Sequence, residues 1–231
     1  MIKAVFFDLY QTLVYFAPRR EELHATVLQD FGIDVKPEVF NRPLAAADRF
    51  ISEKTGSTLV KGRSEEDRMA LWVQYEEVVL REAGIEVSEK LVLGLLGKMR
   101  QTKTKMTLFD DVMPSLTDLV GRGMILGLIS NIDQDINLLV RELGLQSLIQ
   151  AAVTSREAGF NKPHPEIFQV ALKRVSVQAS EAIFVGDQYR IDVIGANQAG
   201  MKGVLLDRNG YYEEITGSSR IRSLNQVVDC L

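Results

Sequence analysis

The chain has 231 residues, a formal net charge of −4, 46% hydrophobic and 25% charged residues, which is ordinary globular composition with enough length for one sizeable core and a smaller second domain. The mild acidity argues against a broad nucleic-acid or anionic-membrane surface, and no apolar run approaches the roughly 20 residues that span a bilayer. A lone cysteine, Cys230, excludes an internal disulfide and a thiolate metal cluster.

Met1, Ile2 and Lys3 precede the apolar run Ala4 to Phe7. A charge so early and a run so short do not make a signal peptide, so a reducing, cytoplasmic setting is expected. Ala4 to Phe7 ends at a polar residue and is predicted as a buried parallel strand. From about Tyr15 to Lys105 the periodicity is helical, with no convincing strand; helices are expected over Glu22 to Phe31, Glu38 to Lys54, Glu65 to Ala83 and Ser88 to Met99. Strand and helix then alternate: strands at Ile125 to Ile129, Ala151 to Val153, Ala182 to Val185 and Val204 to Leu206. Helices run from Asp133 to Leu143 (closed by Gly144), Pro165 to Val175 and Asp192 to Ala199 (closed by Gly200). This alternation predicts an α/β fold, a doubly wound parallel sheet. The expected domains are a core of residues 1–14 and 106–231 and an inserted helical cap of residues 15–105.

Open parallel sheets build sites beyond the carboxyl ends of their strands. The first strand is followed by Asp8-Leu9-Tyr10-Gln11-Thr12, the second by Ser130-Asn131, the third by a loop with Lys162-Pro163, and the fourth by Gly186-Asp187 and then Asp192. A carboxylate can act as a nucleophile, and a hydroxyl and a lysine can hold an anionic group. Asp8, Asp187 and Asp192 would gather three negative charges against the single positive charge of Lys162. Two carboxylates ~4 Å apart repel by on the order of 4 kcal/mol at an effective dielectric of ~20. Such a cluster raises a pKa or recruits a cation, and an all-oxygen site suits Mg²⁺.

Taken together and in this order, these segments resemble the four motifs of the haloacid dehalogenase superfamily. Phe6-Phe7-Asp8-Leu9-Tyr10-Gln11-Thr12-Leu13 is similar to the first motif, Ser130-Asn131 to the second, Lys162-Pro163 to the third, and Gly186-Asp187 with Asp192 to the fourth. The helical insert follows the first motif, where one cap class of that family belongs. The resemblance implies a Rossmann-like core and a hydrolase with Asp8 as nucleophile. It further implies Ser130 and Lys162 on the transferred group; Asn131 is read as either a loop residue or a substrate contact, and Thr12 as ordering the loop after Asp8, with substrate contact as its alternative. Mg²⁺ would be held by Asp8, Asp187 and the backbone carbonyl of Tyr10, with Asp192 supporting the metal waters or the lysine.

The sequence departs from the family's phosphatases two residues after the nucleophile. They carry an aspartate there as general acid–base; here it is Tyr10. Such help is worth roughly 10²–10⁴ in rate, and a phenol with a reference pKa of about 10 can donate a proton but is a poor base. Tyrosine at this place resembles the metal-independent 2-haloacid dehalogenases, in which the aspartate attacks carbon. Those enzymes place glycine next, where this chain has Gln11, and they lack a Gly-Asp fourth motif. Their cap supplies an arginine, for which Arg19, Arg20 and Arg42 are candidates. The leading expectation is a Mg²⁺-dependent phosphatase acting on a small phosphorylated metabolite through an aspartyl-phosphate on Asp8. The alternatives are a 2-haloacid dehalogenase and a non-catalytic binding protein. The expected partner is a small molecule, a phosphate ester or a 2-haloacid, with no nucleic acid and no membrane; the chain would be a monomer or homodimer. Each residue also has a plainer role: Ser130 could cap the next helix, and Asp187 and Asp192 could be turn and helix-start residues. His24 reads as an exposed helix histidine or a proton donor from the cap, and Trp72 and Tyr75 as packing residues.

Overall fold

Ala4–Phe7 has all four side chains buried, as happens to a strand that is paired on both sides and covered on both faces. In the computed structural model it is the inner strand of a parallel sheet. The structure describes residues 1–55, 64–132 and 134–231. In chain order β1 (Ala4–Phe7), β2 (Val14–Ala17), α1 (Arg20–Gln29), α2 (Asn41–Thr55), α3 (Glu65–Glu82), α4 (Glu89–Gln101) and β3 (Lys105–Leu108) lead into α5 (Val112–Gly121) and β4 (Ile125–Ser130). Then come α6 (Ile136–Glu142), β5 (Ala151–Thr154), α7 (Ser155–Ala158), α8 (Pro165–Val175), β6 (Ala182–Gly186), α9 (Ile194–Gln198), β7 (Lys202–Leu206) and β8 (Ser219–Ile221). A π turn, Tyr189–Val193, runs directly into α9, and a 3₁₀ turn, Leu224–Cys230, follows β8.

The six-stranded sheet has the order β5-β4-β1-β6-β7-β8, and all its pairs are parallel. The chain therefore winds outward from β1 in both directions, the doubly wound α/β arrangement expected from the sequence. The switch of direction at β1 opens a crevice beyond the strand ends. Phe7 is level with Leu128 on β4 and Val185 on β6, so Asp8, Ser130 and Asp187 leave the sheet along one rim. Beneath the rim, Phe6, Phe168 and Phe184 pack with Ile129, Val153 and Ile167, and the Phe168 and Phe184 rings meet edge-on at 5.2 Å. Gly127 makes room for this layer, since a Cβ there would come within 2.5 Å of the Phe6 ring.

Two compact units divide the chain: Met1–Tyr15 with Thr107–Leu231, and Phe16–Thr55 with residues 64–106. The second unit holds α1 to α4 around Leu28, Phe40, Leu44, Val79, Leu80 and Leu95. Contrary to the expectation of no strand near its borders, the chain enters and leaves it through β2 and β3, which form a two-stranded ribbon. α1 starts two residues earlier than predicted because the Glu22 carboxylate accepts the Arg19 backbone N–H at 2.9 Å. The stretch expected as one helix from Glu38 divides into a 3₁₀ turn, Pro37–Phe40, and α2. The helix expected from Asp133 begins at Ile136 with Asp135 as its cap; Asp133 itself lies outside the described residues, as do residues 56–63 within the expected insert.

The interior of the helical unit corrects the reading of His24. It is 3% exposed, with Nδ1 donating to the Arg20 carbonyl at 2.7 Å and Nε2 3.0 Å from the equally buried Glu76 carboxylate. Leu23 and Val27 supply the amphipathic pattern around it, but a buried carboxylate partner fifty residues away leaves no local signal. Arg20, a candidate for binding substrate carboxylate, grips Asp48 with two bonds of 2.7 Å and donates to the Tyr75 hydroxyl at 2.8 Å. Arg42 is an exposed residue of α2. Burial, and then Asp48, push the Tyr75 phenol well above its usual value. Tyr75 is a packing residue, as expected, whereas Trp72 beside it is half exposed. Among the described residues no helix is long and apolar enough to cross a membrane.

Candidate active site

Asp8 is the first residue beyond β1, and its backbone N–H donates to the Val185 carbonyl at 2.9 Å. Lys162 arrives from the loop between α7 and α8 and is 2% exposed. Its ammonium donates to Asp8 Oδ1 and to Asp192 Oδ1, both at 2.6 Å, and lies 4.9 Å from the Phe184 ring centroid. Burial disfavours the ammonium, but the Asp192 and Asp8 carboxylates outweigh it and hold Lys162 above the ordinary lysine value, so it stays charged. Asp8 is raised as well, but here that favours the neutral form: burial dominates, Lys162 opposes it, Asp192 adds repulsion, and the carboxyl is pushed up to about 6.

Lys162 owes its position to a backbone bracket. Asn131 accepts the Lys162 N–H at 2.7 Å and donates to the Lys162 carbonyl at 3.0 Å. Asn131, read as either a loop residue or a substrate contact, therefore fixes the lysine loop. Ser130, buried at the end of β4, does not cap the next helix: Asp135 does, accepting the N–H groups of Asn137 and Leu138. Capping thus gives no account of a serine at that rim.

Asp192 enters from the π turn, which adds one residue per turn and commonly marks functional sites. Its other oxygen, Oδ2, accepts the Gln188 N–H at 2.9 Å. It is an interior residue of that turn, not the start of a regular helix as the sequence pattern suggested. The approach is tight: a Cβ on Gly186 would lie 2.3 Å from the Asp192 carboxylate. One oxygen each from Asp8, Asp187 and Asp192 lie within 4.8 Å of one another. Three carboxylates against one ammonium, with oxygen donors alone, fit a small hard dication that keeps part of its water shell.

The loop carrying Tyr10 is held by its own backbone. Leu13 and Val14 N–H groups donate to the Leu9 carbonyl at 2.8 and 2.9 Å, Gln11 adopts φ 62°, and Tyr10 bridges to Val14. Thr12 is fully buried, with its hydroxyl 3.4 Å from Asp187 Oδ1. The structure thus brings Asp8, Thr12, Lys162, Asp187 and Asp192 into direct contact, places Ser130 and Tyr10 on the same rim, and uses Asn131 behind Lys162. Sequence reasoning missed Gln188, Asp111 and Arg208. Asp207-Arg208 follows β7, and asking of the fifth strand what was asked of four would have found Arg208.

A family model for haloacid dehalogenase-like hydrolases matches residues 2–200. A glyceraldehyde 3-phosphate phosphatase of Methanothermobacter thermautotrophicus is 32% identical over 90% of this chain and 86% of its own length. A ribulose-1,5-bisphosphate 5-phosphatase of Halopiger xanaduensis is 30% identical over 90% and 85%. Among solved structures, a 2-haloacid dehalogenase from Pseudomonas syringae pv. Tomato is 28% identical, covers 99% of this chain and 97% of its own, and superposes with a TM-score of 0.59.

Proposed function

The chain belongs to the haloacid dehalogenase-like hydrolase family, and from that premise we propose that it is a Mg²⁺-dependent phosphatase of small phosphorylated metabolites. The observation that carries this reading is the carboxylate trio at the rim, whose excess negative charge would repel an anionic substrate unless a cation sat among its oxygens. The two relatives named as phosphatases act on phosphorylated carbohydrate-type compounds, and such esters are the substrates we favour.

In this reading Asp8 attacks phosphorus, the ester oxygen leaves with a proton, and water then cleaves the aspartyl-phosphate. Asp8, Asp187 and the Tyr10 carbonyl would hold Mg²⁺, which would supply positive charge to offset the carboxylates and the anionic substrate. Lys162 stays protonated and holds Asp8 Oδ1, leaving Oδ2 for attack. Asp192 fixes that lysine, Asn131 braces its loop, Thr12 supports Asp187, and Ser130 and Lys162 line the phosphate side. Tyr10 stands where an acid–base aspartate would be. Its phenol can donate a proton but is a weak base for the water step, so slow turnover is expected. The lone Cys230 thiol, pushed up by burial, takes no part.

The test is hydrolysis of p-nitrophenyl phosphate, glyceraldehyde 3-phosphate and ribulose 1,5-bisphosphate with Mg²⁺ and with chelator. Turnover that needs Mg²⁺ and is lost in Asp8→Asn supports the reading; no turnover across the panel at high Mg²⁺ ends it. Tyr10 and the dehalogenase neighbour favour one other reading, displacement of halide from carbon by Asp8. It predicts halide release from 2-chloropropionate in the presence of chelator.

A further inference from the structure

We propose that Arg208 is a positioning residue for this hydrolysis, clamping the loop that carries Tyr10 and Thr12 by gripping the Thr12 backbone carbonyl; the inference rests on the phosphatase reading. Arg208 lies two residues beyond β7, on the same edge of the sheet as Asp8 and Asp187. Its Nη2 donates to the Thr12 carbonyl at 2.9 Å. The same guanidinium makes a two-pronged pair with Asp111, at 2.8 and 2.9 Å, and stacks 4.1 Å over the Phe109 ring. Asp111 is itself fixed from behind. The Ser223 hydroxyl donates to it at 2.8 Å and the Leu224 N–H at 3.0 Å.

The clamp ties a loop that is otherwise folded on its own backbone to the segment after β7. Between Asp8 and Val14 the backbone leaves the sheet, turns through a left-handed Gln11, and closes on itself, with the Leu13 and Val14 N–H groups on the Leu9 carbonyl and the Gln11 N–H on the Val14 carbonyl at 2.7 Å. The Phe109 N–H donates to the Leu13 carbonyl at 3.0 Å, one residue beyond the Arg208 contact, so both anchors fall on the same corner. On the other side of that corner the Thr12 hydroxyl faces Asp187. A shift of the Thr12 carbonyl therefore moves a contact of one proposed metal ligand and, two residues back, the carbonyl of Tyr10. The planar fork grips Asp111 with two bonds and Thr12 with a third in one fixed plane; a lysine offers a compact charge on a flexible stem and cannot reproduce that two-pronged geometry. Because Arg208 grips backbone, its role is indifferent to the side chain at position 12.

The experiment compares wild type with Arg208→Lys and Arg208→Met, using Arg122→Met, which removes an exposed pair with Asp118, as the control. Three quantities are read: kcat and KM for p-nitrophenyl phosphate, Mg²⁺ affinity by calorimetry, and hydrogen exchange at the Leu13 and Val14 amides of the metal-free protein. Arg208→Met should lower kcat about 10²-fold with a far smaller change in KM, as a displaced catalytic group does. It should also weaken Mg²⁺ binding and speed exchange at both amides. Arg208→Lys should recover folding but not kcat, and it serves in place of the methionine variant if that one does not fold. Unchanged Leu13 and Val14 exchange, or faster exchange with kcat and Mg²⁺ affinity within twofold of wild type, overturns the clamp. A wild-type protein without Mg²⁺-dependent turnover overturns the phosphatase reading instead, and the two failures are told apart by that first measurement.

Discussion

Lys162 holds two buried carboxylates with one ammonium, and that arrangement makes it as much a folding residue as a functional one. Removing one partner of a buried charge set leaves the others uncompensated, so Lys162→Met should lower stability by about 3–5 kcal/mol in urea denaturation of the metal-free protein. A loss under about 1 kcal/mol would show that the buried ammonium contributes little to folding. Tyr10 offers a gain instead of a loss. If the site is a phosphatase frame short of its acid–base group, Tyr10→Asp should raise kcat by about 10²-fold or more; equal or lower activity on aryl phosphates would refute that account. Asp111 gives a pH test. Burial raises its pKa, but hydrogen bonds from Arg208, Ser223 and Leu224 outweigh it and leave the carboxyl below its ordinary value. A lowered folded-state value means that ionised Asp111 contributes stability above the unfolded value and loses it as pH falls. The stability difference between wild type and Asp111→Asn should therefore be largest near pH 7 and shrink below about pH 4, the reference range for an aspartate. A difference that holds constant to pH 3 would rule the linkage out.

The π turn is the element on which the fourth motif depends. Tyr189–Val193 carries Asp192 inward to Lys162 while Gly186 leaves the gap that its carboxylate occupies. Gly186→Ala should push Asp192 out of that gap at an overpacking cost of about 1–3 kcal/mol. It should also remove most turnover, while a Gly97→Ala change, where no atom lies within 4 Å of the added methyl, should be silent. Thermal melts and Mg²⁺-dependent rates of the two variants separate these outcomes. In α3 the capping box of Ser64 and Asp67 closes the first turn at 3.0 and 3.1 Å, and Ser64→Ala should cost about 1 kcal/mol in chemical denaturation without touching kcat.

At the scale of the molecule, the sheet was legible because each inner strand is a short apolar run ending at a polar residue, and α8 begins and ends where Pro165 and Val175 said it would. β2 and β3 were not legible: four residues each, largely only partly buried and joined in a two-stranded ribbon, they carry no run long or apolar enough to stand out. β8 is shorter still. The rim residues Asp8, Lys162, Asp187 and Asp192 were readable because chemistry at strand ends follows from topology. Gln188 and Asp111 were not, since a backbone N–H donor and a carboxylate behind the rim have no sequence pattern. His24 was misread because the residue that makes its burial tolerable, Glu76, is on another helix.

The parallel register of β1 has a consequence for the order in which the protein is made. Ala4–Phe7 pairs with Ile125 to Leu128 and with Ala182 to Val185, both far along the chain. During synthesis the strand that leads to Asp8 leaves the ribosome before either of its partner strands. The helices between it and β4, whose contacts are local, can pack among themselves meanwhile. The four apolar residues that later anchor the nucleophile thus wait unpaired for both partners, and substitutions there are expected to be felt first as lower yield and only afterwards as lower activity.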